Sequence, residues 1–281
     1  MKNFKYVFEL FKIRQTLTAV FLGIITYVKC SNFNVNFYSL FLLFVALFLT
    51  LCGSTGINMV LDSDIDKIMK RTKNRPIPSG KIDGRSAFLI SFIITFFGLT
   101  ISFFLNFYVF LFGLLGVLIF DVLYTFLLKR KTPLNVIICS TAGMMPILAG
   151  ASLTQNFTLE ILLLSFFVCV WSLSHIWSTA IYWVNDYKRA KVPMLPVIYG
   201  IKKTYLILFF IFLFFYLPII FFLFSNIIIL LTFLTFIFFL SFFSFKGFLE
   251  RKRKLSFYIF KINSIYLLAL FLSYLFAPAG I

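Results

Sequence analysis

Long runs of Phe, Leu, Ile and Val follow one another along the chain, separated by short segments that hold almost all of the charge. An uninterrupted apolar run of about 20 residues crosses a bilayer as a helix. The alternation predicts nine such helices, near residues 14–29, 38–57, 86–105, 107–128, 135–153, 160–183, 204–224, 226–245 and 257–277. The first and fifth are the shortest. The expected fold class is an all-α polytopic membrane protein with about nine transmembrane helices, forming one domain over residues 1–281.

The charges orient these helices. Every Lys and Arg except Lys29 falls at the N-terminus or in the segments after the second, fourth, sixth and eighth runs, which all lie on one side. Excess positive charge marks the cytoplasmic side. An odd number of spans then puts the uncharged C-terminus, "APAGI", outside. Neither a cleavable signal nor an Arg- and Ser-rich transit segment precedes the first run, so the chain is expected to be a complete bacterial or archaeal membrane protein.

Composition agrees: 62% of the residues are hydrophobic, 12% are charged, and 43 are Phe. A soluble domain has about a quarter charged residues. Most of the Phe residues are read as lipid-facing. The net charge of +17 does not indicate nucleic-acid binding, because no basic face is separable from the membrane loops. Cys30, Cys52, Cys139 and Cys169 are scattered and have neither metal-ligand nor redox-motif spacing.

One segment departs from the apolar pattern: "NMVLDSDIDKIMKRTKNRPIPSG", residues 58–80. Asn58, Asp62 and Asp66 recur every fourth residue, so on a helix they fall within an arc of roughly 80°. Asp64 points elsewhere. Two carboxylates and an amide on one face suit Mg²⁺, which is usually held by one or two carboxylates plus substrate phosphates. Lys70, Arg71, Lys73 and Arg75 follow, donors suited to an oxyanion such as a diphosphate. The prolines of "RPIP" stiffen the loop by fixing φ. The bland alternative is a solvated charge run.

A second constellation closes the sixth run. His175, Thr179, Tyr182 and Asp186 fall within about 60° of each other on a continuous helix, with His175 about 16 Å deeper than Asp186. His175 is the only histidine. It reads either as a packed histidine bonded to a carbonyl or as a ligand or proton-handling group facing a cavity. Tyr124, Lys129 and Arg130 end the fourth run at the same cytoplasmic mouth, where "KRK" also serves as a positive anchor. Asp121 is the one deep acid, and such a residue faces a cavity or a partner.

Together these residues resemble the UbiA-type intramembrane prenyltransferases. The family's first acidic motif, Asn-x-x-x-Asp-x-x-x-Asp, matches Asn58, Asp62 and Asp66. The continuation "DIDKIMKRTKNRPIPSGKI" is similar to the branch that farnesylates protohaem IX. So are "FELFKIRQTLTAVFLG", "LKRKTPLNV", "TAGMMPILAG", "SHIW" and "DYKRAKVPMLPV". The similarity covers residues from about 8 to 200; the last three runs match in hydropathy alone. Departures lie mainly in the second motif. Tyr182 stands where the family has an aspartate, Asn185 and Lys191 replace an Asp and a Gly, and Leu173–Ser174 replace a Pro-Pro pair. Ile13 replaces a further proline.

The resemblance implies nine helices around a central lipid-open cavity, and a Mg²⁺-dependent transfer of farnesyl from farnesyl diphosphate to a vinyl group of haem b. Mg²⁺ would be held by Asn58, Asp62, Asp66 and Asp186. The diphosphate would meet Lys70, Arg71, Lys73, Arg75, Tyr124, Lys129 and Arg130. His175, Thr179 and Tyr182 would contact haem, a substrate rather than a resident cofactor. The setting would be a plasma membrane, and a haem A synthase or an oxidase-assembly factor is the implied partner. Two alternatives are a family member acting on an aromatic or lipid acceptor, and a transporter. Transporters place their sites near the midplane, whereas the acids here, Asp121 and Glu160 apart, lie on the basic side.

Overall fold

The computed structural model describes residues 2–276, and the C-terminal "APAGI" expected outside the membrane lies outside those residues. Among the described residues there are helices and no strands. Among these residues, eight helices are long and apolar enough to cross a membrane. The first expected span, the one not among these eight, is also helical, α2 (Ile13–Cys30), but Arg14, Gln15, Lys29 and several threonines make it less apolar than the others.

The chain divides into two compact units. The first comprises residues 1–129 and 141–157, the second residues 130–140 and 158–281. Unit one contains α1 (Lys2–Leu10), α2, α3 (Phe37–Leu61), α4 (Ser63–Ile68), α5 (Gly84–Leu105) and α6 (Phe107–Leu128). The fifth expected span breaks into α7 (Asn135–Ala142), which begins in unit two, and α8 (Met145–Ser152) in unit one. Pro146 in the first turn of α8 explains the break, since it has no N–H to continue the preceding helix.

Side-chain caps start several of these helices. Asn36 accepts from the Ser39 amide at 3.1 Å, Asp83 from Ser86 at 2.9 Å and Asn106 from Tyr108 at 2.8 Å. Each satisfies an amide that has no partner within its own helix. Asn106 is the single residue between α5 and α6, so its cap also makes the turn.

Small residues bring α3 and α5 together. A Cβ at Gly53 would lie 2.5 Å from the Ser91 carbonyl oxygen, and one at Gly98 would lie 2.5 Å from the Thr50 nitrogen. In lipid, where apolar burial between helices gains little, such backbone approach is a main source of packing energy. Phe residues on α5, including Phe88, Phe92, Phe96, Phe97, Phe103 and Phe104, are exposed, as the lipid-facing reading expects.

Unit two continues with α9 (Leu159–Tyr182), α10 (Val184–Arg189), α11 (Leu195–Ile198), α12 (Gly200–Leu223), α13 (Ile227–Glu250) and α14 (Arg253–Phe276). Buried Asn263 on α14 ties it together. Its Nδ2 donates to Ser174 Oγ at 2.9 Å, its Oδ1 accepts from Tyr216 at 2.8 Å, and its carbonyl accepts from Trp171 Nε1 at 2.7 Å. A network satisfied on every side suits a low-dielectric interior. Phe167, Phe233 and Tyr266 pack around Tyr216 and one another.

Candidate active site

The acidic face forms where α3 passes into α4. Asp62 joins the two helices, yet its amide donates to the Asn58 carbonyl at 3.0 Å and its own carbonyl accepts from the Asp66 amide at 2.8 Å. The four-residue bond spacing therefore persists through the junction, and Asn58, Asp62 and Asp66 keep a common face. All three are buried, whereas Asp64 is exposed, as expected from its helical phase.

After Ile68 the backbone extends at Met69, and a loop leads to α5. Ile77 is buried in a cluster with Leu10, Phe11, Cys52, Met59 and Ala87. The Pro76 carbonyl accepts from the amides of Lys81 at 2.9 Å and Ile82 at 3.1 Å. Gly80 takes φ +72, a left-handed value that suits glycine. These features give the stiff segment expected from "RPIP". It delivers Arg75, whose guanidinium donates to Asp66 Oδ2 at 2.7 Å. Lys70, Arg71 and Lys73 are exposed.

The facing wall comes from α6, whose second half, Leu118–Leu128, is π-helical. Its wider turn appears as bonds to the fifth preceding residue: Lys129 N–H donates to the Tyr124 carbonyl at 2.8 Å and the Thr125 hydroxyl to the Phe120 carbonyl at 2.7 Å. Three side-chain bonds then join α3 to α6 on successive turns. Ser54 donates to Asp121 Oδ2 at 2.7 Å, and Asn58 Nδ2 to Thr125 Oγ1 at 2.9 Å. At the third level the Lys129 ammonium donates to Asp62 Oδ2. Lys129 also lies 5.3 Å from the centre of the buried Tyr124 ring.

Asn58 is at the centre of this array. Its Nδ2 also donates to Asp62 Oδ2 at 3.1 Å, and its Oδ1 accepts from Lys12 Nζ at 2.8 Å. Lys12, between α1 and α2, adopts φ +44. Burial pushes its ammonium down from 10.5 to about 8; Arg75 adds to the shift, while Asp62 and Asp66 oppose it. Sequence reasoning used Lys12 only as an orienting charge and passed over Ser54 and Thr125. The available signal was their spacing: Ser54 and Thr125 stand one turn before Asn58 and Lys129. The bond from Ser54 also supplies the partner that the sequence left unnamed for Asp121.

Asp62 Oδ1 is buried and among the described residues accepts no hydrogen bond, although Oδ2 has two donors. A buried carboxylate oxygen without a partner is costly and is suited to a cation. Among the described residues no group of three His, Cys, Asp or Glu could hold a metal ion. Two carboxylates and an amide still fit Mg²⁺, since its remaining ligands are commonly water and phosphate.

In unit two, His175, Thr179 and Tyr182 share α9, but the continuous helix that would carry them in phase with Asp186 does not form. At Trp183 the backbone changes to φ −100, ψ 24, and the Asp186 amide bonds to the Trp183 carbonyl, three residues back, at 2.9 Å. This tighter turn starts α10 and resets the phase. Asp186 is buried and paired with Arg189. The half-buried His175 ring stacks on Trp171 at 4.7 Å and lies 4.5 Å from Phe260. Among the described residues its Nδ1 has no hydrogen-bond partner, so this nitrogen does not make the carbonyl bond of a simply packed histidine. Tyr182 packs 5.2 Å from Phe257, and Arg130 is exposed.

Comparison with known proteins extends this picture. The UbiA prenyltransferase family profile matches residues 17–265. The chain is 43% identical to the protoheme IX farnesyltransferase of Thermofilum pendens, over 70% of each chain. It is 38% identical to that of Korarchaeum cryptofilum, over 69% of this chain and 65% of the relative. Against the Archaeoglobus fulgidus protein of the same name the identity is 32%, covering 73% and 72%. In fold, it is similar to a solved structure of digeranylgeranylglyceryl phosphate synthase at a TM-score of 0.76, with 23% identity and 99% of each chain covered. A UbiA homolog from Archaeoglobus fulgidus bound to GPP and Mg²⁺ superposes at 0.68, with 17% identity over 96% and 99% of the two chains. The motif order, the helical fold and a family match over nearly the whole length agree: this chain belongs to the UbiA prenyltransferase family.

Proposed function

We propose that this chain transfers the farnesyl group of farnesyl diphosphate to a vinyl group of haem b, giving haem O and diphosphate. Prenyl transfer follows from family membership. The choice of haem and farnesyl is supported by the names of several relatives, the first at 43% identity. The observation that carries the mechanism is the buried face of Asn58, Asp62 and Asp66, set against Lys12, Arg75 and Lys129.

Asn58, Asp62 and Asp66 would hold Mg²⁺, with Asp186 added on the strength of the motif alone. Bound there, Mg²⁺ would supply Lewis-acid stabilisation of charge on the departing diphosphate. The protein's own cations now rest on the acid face; with substrate present, Lys129, Arg75 and Lys12 would turn to phosphate oxygens. Preorganised positive groups of this kind stabilise charge as it develops. Lys70, Arg71, Lys73, Tyr124 and Arg130 remain candidate diphosphate contacts at the mouth.

The allylic C–O bond breaks with its electron pair leaving on diphosphate. The haem vinyl group attacks the allylic carbon, water captures the resulting cation, and one proton is released. Apolar walls limit earlier capture by water. His175, Thr179 and Tyr182 are the proposed haem contacts, with the aromatic slot of Trp171 and Phe260 orienting the His175 ring. The positive segments would place the mouth at the cytoplasmic face of a plasma membrane and the C-terminus outside. A haem A synthase or an oxidase-assembly factor is the proposed partner for the product.

The test is mass spectrometry of haem extracted after incubating the purified chain with haem b, farnesyl diphosphate and Mg²⁺. A mass gain of farnesyl plus hydroxyl is expected. Unchanged haem, with product formed only on a hydroxybenzoate or lipid acceptor, would reassign the substrate.

A further inference from the structure

Asp121 lies one turn deeper than the acid face, and its side-chain hydrogen bond is to Ser54 rather than to Asn58, Asp62 or Asp66. It is 4% exposed, in a helix that crosses the membrane. A carboxyl group there is expensive, and an apolar residue would remove that cost. Oδ2 accepts the Ser54 hydroxyl at 2.7 Å, while Oδ1 has no partner among the described residues. The acid therefore stands at a position where solvation disfavours it.

The geometry of α6 suggests the reason. From Leu118 its ordinary bond pattern is replaced by the wider π turn, a form that is rare and that often marks functional sites. Returning to α-helical winding would change the facing of every later residue, Thr125 and Lys129 included. The Ser54–Asp121, Asn58–Thr125 and Asp62–Lys129 bonds all join residues 67 apart in sequence, one on each turn. The deepest of the three meets the π segment close to where it begins.

We propose that Asp121 is a positioning residue: its bond to Ser54 sets the register of α6 on α3, so that Thr125 reaches Asn58 and Lys129 reaches Asp62. The consequence for metal binding rests on the proposed metal-holding face; the register itself does not. Residues that orient metal ligands without touching the metal commonly change affinity about 10- to 100-fold when removed.

The test uses the full chain in detergent with Ser54→Ala, Asp121→Ala and Asp121→Asn, the last retaining a carbonyl oxygen for the Ser54 hydroxyl. Spin labels at Phe44→Cys on α3 and Phe126→Cys on α6, both exposed positions, report register without any metal. The inter-label distance is expected to shift or broaden in Ser54→Ala and Asp121→Ala, and to stay as in the parent with Asp121→Asn. Mn²⁺ titration by electron paramagnetic resonance should show roughly tenfold weaker binding in the first two and near-parent binding in the third. An unchanged distance in both Ser54→Ala and Asp121→Ala would overturn the proposal. So would an Asp121→Asn variant as displaced as Asp121→Ala, because charge rather than the bond would then be responsible. Should the labels shift as expected while even the parent fails to bind Mn²⁺, the register role stands and the metal reading falls. If Asp121→Ala does not fold, Ser54→Ala and Asp121→Asn decide.

Discussion

Asn58 donates its side-chain amide to the Thr125 hydroxyl at 2.9 Å, and the same nitrogen reaches Asp62 Oδ2 at 3.1 Å. The two bonds orient the amide, so that Oδ1 turns toward Lys12 Nζ, 2.8 Å away. Thr125 in turn donates to the Phe120 carbonyl. A hydroxyl on a π-helical turn thus determines which atom of Asn58 is available as an oxygen ligand.

Thr125→Val keeps the shape and removes the hydroxyl. The Asn58 amide then loses one of its two acceptors and is free to rotate. The expected result is a turnover loss of roughly tenfold or more, as for other residues that orient a metal ligand. Thr125→Ser should retain most activity. Assays of prenyl transfer across Mg²⁺ concentrations check this, and equal activity in the Val and Ser variants would remove Thr125 from the site.

The readability of the chain had a physical pattern. Apolar runs marked each crossing because a bilayer demands satisfied backbone bonds over a fixed length, and the expected spans agree with the helices to within a few residues. Asn58, Asp62 and Asp66 were legible as one face because their four-residue spacing survives the α3–α4 junction. The break at Trp183 was not, since one tightened turn leaves no mark in hydropathy. The π-helical half of α6 was hidden for the same reason, and with it the pairing of Ser54 with Asp121. Lys12 was masked by being one cation among many: nothing local separates an orienting charge from one that folds back onto an amide.

Packing between α3 and α5 predicts a contrast between two glycines. Alanine at Gly53 would place its Cβ 2.5 Å from the Ser91 carbonyl oxygen, part of a backbone that cannot yield cheaply. Overpacking of that kind costs about 1–3 kcal/mol. At Gly113 the nearest atom is Leu99 Cδ2 at 3.2 Å, the mobile end of a side chain. There the gain from replacing glycine in a helix, roughly 0.5–1 kcal/mol, should match or exceed the strain. Thermal unfolding in detergent should show Gly53→Ala lowered and Gly113→Ala unchanged or raised.

Asp83 provides a pH test outside the membrane. Ser86 donates both its amide, at 2.9 Å, and its hydroxyl, at 3.1 Å, to Asp83 Oδ2, and these bonds hold the carboxyl below its usual 3.8. The folded-state value is depressed, so the stabilisation is fully present above the unfolded value and is lost as pH falls through the folded one. Asp83→Asn should therefore unfold at a lower temperature than the parent at neutral pH, with the gap closing below about pH 4. A gap that persists undiminished in acid would mean the charge has no part in the cap.

Asp62 and Lys129 predict a non-additive pair. Lys129→Met removes the ammonium and leaves a buried carboxylate whose remaining hydrogen bond, among the described residues, comes from the Asn58 amide. Breaking a buried pair by removing one partner typically costs about 3–5 kcal/mol, much of it the isolated charge. Adding Asp62→Asn removes that charge, so the double variant should be more stable than Lys129→Met alone, even though both lack activity. Asp62→Asn by itself should fold, insert and fail to turn over, because the neutral amide cannot replace the carboxylate as a metal ligand. Unfolding temperatures of the four proteins without Mg²⁺, with turnover measured in parallel, provide the test. A double variant no more stable than Lys129→Met would mean that Asp62 does not depend on Lys129 for its charge.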